Sequence, residues 1–410
     1  MAPLLSIAIP THNRARYAIP AIRSILAIAD PRLEVVVSDT STSGELAACM
    51  ADSSNAWVTD PRLNYFRPQE KLDMTGNHNA ALGAVTGEYV CLIGDDDTIA
   101  ADALAAAAWA KDHAIDLIAP NVVANYVWPD FRSRFLGDRH ASRLYFARRM
   151  GGGTVEDSQV ALARALKNAA QGTDGLPKIY HGLVRRAVLE QVREVSGAYF
   201  HGSSPDVSGA IALALCSKRF VVADYPLTIP GASGGSNTGR SAMNTHKGAL
   251  GRESQTKGFE SGGWSAGVPR FFSVETVWAH AALETIARIA PEQVARFNFA
   301  YLAAVCRVLH PEYGAEIDEA VAQAAYVTGQ GLAQLQGEIK AEMKRYRRER
   351  LLRLLKRLSH PTAAGGRTFA PGLPTVADAP QALAKHMATA GQRWEQTAAQ
   401  LAARLGGPHP

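Results

Sequence analysis

Three adjacent carboxylates, Asp95-Asp96-Asp97, close a short apolar run from Tyr89 to Ile93. Two unit charges about 4 Å apart interact by roughly 4 kcal/mol at an effective dielectric near 20. Such a cluster is tolerable if the acids are solvated, share a proton or meet a cation. Mg²⁺ and Mn²⁺ suit one or two carboxylates completed by phosphate oxygens. Two readings stand on these residues alone. The acids hold a divalent ion for a nucleotide diphosphate, or they form an exposed acidic turn capping the helix that starts near Ala100.

The elements that must position the acids favour the first. Tyr89 to Ile93 has the length of a strand buried on both faces of a parallel sheet. Upstream, Leu4 to Ile9, Leu33 to Val37 and Leu63 to Phe66 read as strands, alternating with helices over Ala15 to Ala27, Gly44 to Ala51 and Thr75 to Val85. This alternation predicts an α/β fold with a mostly parallel central sheet. Polar loops follow each strand: Thr11-His12-Asn13, Ser38-Asp39-Thr40 and Lys71 to Asn79. All reach the carboxyl edge of the sheet, where open α/β sheets bind ligands. Neither the early GxGxxG of a dinucleotide fold nor the GKS/T of a P-loop is present.

The 410 residues exceed one ordinary domain, and 47% hydrophobic residues suit a globular protein. Cys49, Cys91, Cys216 and Cys306 are dispersed and form no CxxC pair. Neither a zinc site nor a disulfide framework is indicated, and a reducing, cytoplasmic setting is expected. Neither a signal peptide nor an uncharged run of about 18 apolar residues is visible, so no membrane span is expected.

The order and spacing of Ser6-Ile7-Ala8-Ile9-Pro10-Thr11-His12-Asn13-Arg14, Val35 to Thr42, Asn79-Ala80-Ala81-Leu82-Gly83 and Gly87 to Asp97 resemble a family 2 inverting glycosyltransferase with the GT-A fold. The resemblance implies residue roles. Pro10, Thr11 and Asn13 line the nucleotide pocket, and Asp39 bonds the base or ribose. Lys71 and Asn79 reach the nucleotide or diphosphate. Asp95, Asp96 and Asp97 stand at the DXD-type motif that binds ribose and a Mn²⁺ or Mg²⁺ ion. The family pattern often reads Asp-x-Asp-Asp, whereas here Gly94 precedes three acids. Asp97 with Asp95 is the favoured metal pair, with Asp96 as the alternative ligand. An acid after the DXD strand, heading a helix below the acceptor, is the family's general base, and Asp206 holds that place. His201 is the reserve. The simpler account of Asp206 is an acid stabilising a helix N-terminus after Pro205.

The chain divides by composition. Residues 1–230 read as a nucleotide-sugar-binding catalytic domain, with a polar, Arg-rich insertion from Trp128 to Gly175. Residues 231–268 read as a flexible Gly/Ser-rich loop. It resembles the mobile loop of bacterial relatives, which makes Ser236, with Asn237, Arg240 and His246, a donor-phosphate contact. Residues 269–360 read as a helical region with a basic amphipathic stretch from Lys344 to Leu358. Residues 361–410 read as a linker and a last amphipathic helix able to dock on a partner subunit. The basic stretch suits either an anionic membrane or a helix docked by its leucines. Nucleic acid is not expected as a partner, because aromatic residues are sparse in that stretch.

The expected function is a metal-dependent transfer of a sugar from a nucleotide-diphosphate sugar, UDP-sugar favoured, to a saccharide or lipid-linked acceptor, in bacterial surface polysaccharide synthesis. A cytoplasmic enzyme able to touch the inner face of the membrane, and able to form a homo-oligomer, fits that expectation. The alternatives are a nucleotidyltransferase, which lacks its usual phosphate loop in Pro10 to Arg16, and a non-catalytic nucleotide-sugar-binding subunit.

Overall fold

The computed structural model describes residues 2–133, 136–147, 150–235, 247–251, 258–259, 262–358 and 367–406. The chain opens with β1 (Leu5–Thr11), α1 (Ala15–Leu26), β2 (Leu33–Asp39), α2 (Glu45–Ala51), β3 (Leu63–Phe66), α3 (Met74–Gly83) and β4 (Tyr89–Leu92). After the acids come β5 (Thr98–Ile99), α4 (Asp102–Asp112), β6 (Leu117–Pro120), β7 (Ala124–Val127), β8 (Arg143–Phe146), β9 (Gly153–Asp157) and α5 (Ser158–Lys167). Then follow β10 (Leu183–Arg185), α6 (Arg186–Ser196), α7 (Pro205–Cys216), β11 (Arg219–Ala223), β12 (Thr228–Ile229) and β13 (Gly231–Ala232).

Among the described residues, eight strands form the main sheet in the order β3-β2-β1-β4-β10-β6-β11-β9. The β1–β2, β2–β3, β1–β4 and β6–β11 pairs are parallel, while β10 runs antiparallel to both neighbours and β9 antiparallel to β11. The chain steps outward from β1 to β2 and β3, then returns to the other side of β1 with β4. The strand order therefore reverses between β1 and β4. Crevices at such reversals are where open α/β sheets take their ligands, and Thr11 and the three aspartates end those two strands.

Side-chain alternation sorts the core into two layers. Leu5, Ile7 and Ile9 of β1, Val35 and Val37 of β2 and Tyr89 and Cys91 of β4 face α1 and α4. Ala8, Val36, Val90 and Leu92 face α3, α6, α7 and the later helices. Both faces are covered, which accounts for the nearly continuous apolar runs in these strands.

The expected insertion from Trp128 to Gly175 contains ordered elements. β9 adds the sheet's last strand, and α5 begins at Asp157, whose carboxylate accepts from the Val160 amide at 2.9 Å. β7 joins a second sheet, β13-β7-β8-β16, instead of continuing the first.

A two-stranded pair, β14 (Lys247–Gly248) with β15 (Phe272–Ser273), precedes the helical region. This region comprises α8 (Val274–Ile289), α9 (Phe299–Leu309), α10 (Gly314–Thr328) and α11 (Leu332–Leu358). A 3₁₀ turn, Pro291–Arg296, precedes α9. Asn298 separates them, its side chain capping α9 through the Tyr301 amide at 2.8 Å.

The segment from 361, expected as linker and partner-docking helix, instead returns to the first domain over its described residues. β16 (Thr368–Pro371) pairs with β8, and α12 (Ala379–Thr389) and α13 (Trp394–Leu405) complete the layer around α1 and α4. Trp394 is the anchor. It is 3% exposed and meets Trp109 and Tyr225 edge-on, with ring centroids 6.0 and 5.5 Å away. Burying an aromatic of this size contributes about 2–3 kcal/mol. The amphipathic face read from the sequence thus has its partner within the same chain.

Candidate active site

The site begins where β1 and β4 end. Thr11 is the last residue of β1, and its hydroxyl donates to Asp95 Oδ2 at 2.7 Å. Arg14 occupies the N-cap of α1 but caps nothing with its side chain. Its guanidinium crosses the crevice instead. Nε donates to Asp95 Oδ1 at 2.6 Å, and Nη2 reaches Asp96 Oδ2 at 2.9 Å and Ser233 Oγ at 2.8 Å. Ser233 Oγ in turn donates to Asp96 Oδ2 at 2.5 Å. Asp97 turns the other way. Its Oδ2 accepts from the Gly94 amide at 2.6 Å and lies 3.2 Å from His181 Nε2, and its Oδ1 accepts from the Gly231 amide at 2.6 Å.

The three carboxylates are 3–6% exposed. Burial, with Asp97 and then Asp95 beside it, pushes the Asp96 carboxyl up to about 7. Burial also raises Asp95, although Arg14 and Thr11 oppose it. For Asp97 burial is outweighed by His181 and by the Gly231 and Gly94 amides, which hold it below the usual carboxylate range. The exposed acidic turn is therefore not what forms. The cluster is desolvated, and the protein itself supplies cations and donors to balance it.

Glycines make this packing possible. A Cβ on Gly231 would lie 1.9 Å from the Asp96 carbonyl oxygen, and one on Gly94 would lie 2.6 Å from the Tyr180 hydroxyl. The side chain that the family pattern often places at Gly94 has no room here, because Tyr180 fills that space.

Several expected donor residues reach the same edge but are committed to protein bonds. Thr11 and Asp39 are register partners. Asp39 accepts from the Ser41 amide and the Tyr65 hydroxyl, both at 2.8 Å. Pro10 is buried within β1. Asn13, at φ 57°, accepts from the Thr42 and Ser43 amides and so laces the β1 loop to the β2 loop. Lys71 lies exposed on the loop before α3. Asn79 makes protein bonds as well: its Oδ1 accepts from the Tyr199 and Phe200 amides, and its Nδ2 donates to the Phe200 carbonyl. It pins the segment leading to α7, and its second Nδ2 hydrogen has no partner among the described residues. Ser236, Asn237, Arg240 and His246 lie outside the described residues.

Asp206 sits half-buried in the first turn of α7, after Pro205. Ser204 Oγ donates to its Oδ1. Thr75 of α3 donates to the Gly202 carbonyl at 2.8 Å, joining the loop before Asp206 to the donor-side loops. His201, the reserve base, is turned away. Its Nε2 pairs with Ser196 Oγ at 2.9 Å, and burial, then Arg288, lowers it to about 4.

Tyr180 links the two groups of acids. Burial, then Asp97, Asp96, Asp95 and Asp206, raises its hydroxyl well above the ordinary tyrosine value. One ring thus lies within electrostatic reach of the triplet and of Asp206. His181, next to it, adopts φ 64°, and no described residue bonds its buried Nδ1. Arg14, Tyr180, His181 and Ser233 had no assigned role in the sequence reading. Arg14 closes the Pro10 to Arg14 turn and was visible as a cation next to the site. The other three arrive from distant segments that no local pattern marks.

The metal expectation changes in detail. Both oxygens of Asp95 and of Asp97 accept hydrogen bonds from the protein. Asp96 Oδ1 accepts none from the described residues. No group of three or more His, Cys, Asp or Glu among the described residues is arranged to hold an ion. The donors fit a Mg²⁺- or Mn²⁺-type ion held by one carboxylate, Asp96, with phosphate oxygens completing the shell. The Asp95–Asp97 pair is the more heavily engaged, its oxygens already serving Thr11, Arg14, His181 and two amides.

Comparison with known proteins places these observations. Residues 6–155 match glycosyl transferase family 2. The chain is 35% identical over 103 residues to the GalNAc(5)-diNAcBac-PP-undecaprenol beta-1,3-glucosyltransferase of Campylobacter jejuni, covering 25% of this chain and 32% of that one. It is 36% identical over 96 residues to the putative colanic acid biosynthesis glycosyl transferase WcaA of Escherichia coli, covering 23% and 33%. The chain therefore spans about a third of the length of these curated relatives. The crystal structure of S. aureus TarS 1-349 in complex with UDP-GlcNAc is similar with a TM-score of 0.44 and 17% identity, covering 80% of this chain and 92% of that chain. The segment that matches glycosyl transferase family 2 carries β1 to β8 and all three aspartates.

Proposed function

We propose that the protein transfers a sugar from a nucleotide-diphosphate sugar, with UDP the favoured nucleotide, to a hydroxyl of a saccharide or lipid-linked saccharide. The observation that carries this reading is the buried aspartate triplet at the β1/β4 reversal, inside the family-matched segment and within reach, through Tyr180, of a half-buried acid on α7. The relatives named for an undecaprenol-linked acceptor and for colanic acid biosynthesis support a role in bacterial surface polysaccharide synthesis.

In this reading the donor lies along the carboxyl ends of β1, β2 and β4. Thr11, Asp39 and the backbone of the Pro10 to Asn13 turn shape the nucleoside pocket, and Lys71 approaches from the loop before α3. Asp96 would hold a divalent ion, which when bound would offset the charge that grows on the departing diphosphate. Arg14 fixes Asp95 and Asp96 relative to each other and adds positive charge at that edge. Asp206 accepts the proton of the attacking acceptor hydroxyl, and displacement on the opposite face of the sugar inverts its anomeric carbon. A base must approach that hydroxyl within about 3 Å, and the first turn of α7 holds the carboxylate at the crevice.

Thermal shift with UDP, GDP and dTDP, each with and without Mn²⁺, tests the donor side. Stabilisation by one nucleotide that grows with Mn²⁺ and disappears in Asp96→Asn is expected. Equal, metal-independent shifts with all three would overturn the donor assignment.

A further inference from the structure

The long helix α11 is docked along only part of its length. Leu335 and Ile339, on its first turns, are 2% and 1% exposed, and Met343 and Tyr346 pack partly against the same core. Arg345 pairs with Glu342 at 2.8 Å, and its guanidinium lies over the Tyr301 ring at 4.2 Å. Beyond that turn the helix leaves the body. Leu351, Leu352, Leu354 and Leu355 are 55%, 55%, 56% and 53% exposed. Arg347, Arg348, Arg350 and Arg353 are exposed as well.

The spacing is that of an amphipathic helix. Residues 351, 354, 355 and 358, all leucine, occupy i, i+3, i+4 and i+7. From Lys344 to Leu358 eight residues are basic and one, Glu349, is acidic. Leu351, Leu352, Leu354 and Leu355 therefore do not dock on the described protein, which disfavours the docked-helix reading of this stretch. No described helix is long and apolar enough to cross a membrane, so the feature is a surface and not a span.

We infer that the distal half of α11, residues 347–358, lies on an anionic lipid bilayer. Its leucines enter the boundary between headgroups and acyl chains, and its arginines extend toward lipid phosphates. Charge complementarity selects this occupant. A second copy of the same face would bring two strongly positive segments together. A nucleic acid would engage the cations but leave the row of leucines in water. Each basic residue near an anionic surface adds to the attraction, and the leucines supply the burial that salt does not screen. The inference goes beyond sugar transfer and stands without it.

The test is sedimentation of the full chain with vesicles. The chain is expected to bind about tenfold more to phosphatidylcholine vesicles containing roughly 30% phosphatidylglycerol than to pure phosphatidylcholine. Replacing Leu351, Leu354 and Leu355 together by Gln is expected to lower that binding about tenfold without moving the thermal unfolding midpoint, because these side chains are exposed. Replacing Arg347, Arg348 and Arg350 by Gln is expected to remove the preference for anionic vesicles. Equal binding to both vesicle types, no binding to either, or binding insensitive to the leucines would overturn the inference. So would absent vesicle binding combined with tight binding of a single-stranded RNA, or with a dimer that the leucine replacements dissolve.

Discussion

The two groups of acids at the crevice are built on opposite principles. Asp95, Asp96 and Asp97 are buried, Arg14 pairs with the first two and His181 with the third, and hydrogen bonds come from Thr11, Ser233 and the amides of Gly94 and Gly231. Asp206 is half-buried on the first turn of α7, with the Ser204 hydroxyl as its described hydrogen-bond partner. The triplet is stiff and internally balanced, as suits a surface that must present a fixed charge pattern to a diphosphate. Asp206 Oδ2 accepts no hydrogen bond from the described residues, which under the proposed function suits a group that picks up a proton. On that same reading, the first station suits anchoring and the second proton transfer.

The sharpest way to separate the stations is Asp206→Asn. It is expected to lower kcat about 10²- to 10⁴-fold, the range for loss of a general base, while the unfolding free energy stays within about 0.5 kcal/mol of the native protein. Retained turnover would return Asp206 to a helix-terminal role. Arg14→Met probes the other station. Removing one partner of a buried ion pair costs about 3–5 kcal/mol, so chemical denaturation should show a loss of that order. A change below about 0.5 kcal/mol would mean that the triplet does not depend on its internal cation.

A smaller effect is expected from Gly94→Ala. The added methyl meets the Tyr180 hydroxyl, which can shift, so stability should fall by about 1–3 kcal/mol, as for an overpacked core. A rise in KM for the acceptor would accompany it if Tyr180 sets the spacing between the stations. The last prediction concerns His201, which sits on the loop before Asp206 but faces α6. Its folded pKa of about 4 lies below the ordinary value. The native state therefore holds fewer protons than the unfolded chain between about pH 6.5 and 4, and stability is lost as pH falls through that window. His201→Gln should flatten that slope while leaving turnover near neutral pH within about twofold. A collapse of activity in this variant would make His201, not Asp206, the base.

The contrast between stations also shows how far the sequence reaches. The parallel strands, the crevice edge and the acids were readable because local alternation and apolar runs report directly on a two-faced sheet. The helix start at Asp206 was readable because proline followed by an acid marks one, while its place as a base was implied by the family resemblance alone. What surrounds them was not. Ser233 and Tyr180 come from segments far along the chain, and only the fold brings them to β1 and β4. Asn79 was read as a ligand contact because the family pattern carries it, and an amide serves a neighbouring backbone as well as a nucleotide. The terminal helix showed an apolar face, and periodicity does not say which surface receives it. Trp394 against Trp109 and Tyr225 supplies that answer.

The account rests on the separation of donor anchoring from proton transfer, and calorimetric titration of UDP with Mn²⁺ into Asp96→Asn and Asp206→Asn measures it directly. The account predicts that Asp206→Asn binds the nucleotide as the native chain does, while Asp96→Asn loses the metal-dependent part of that binding. Undiminished, metal-dependent binding by Asp96→Asn, or loss of binding in Asp206→Asn, would contradict it.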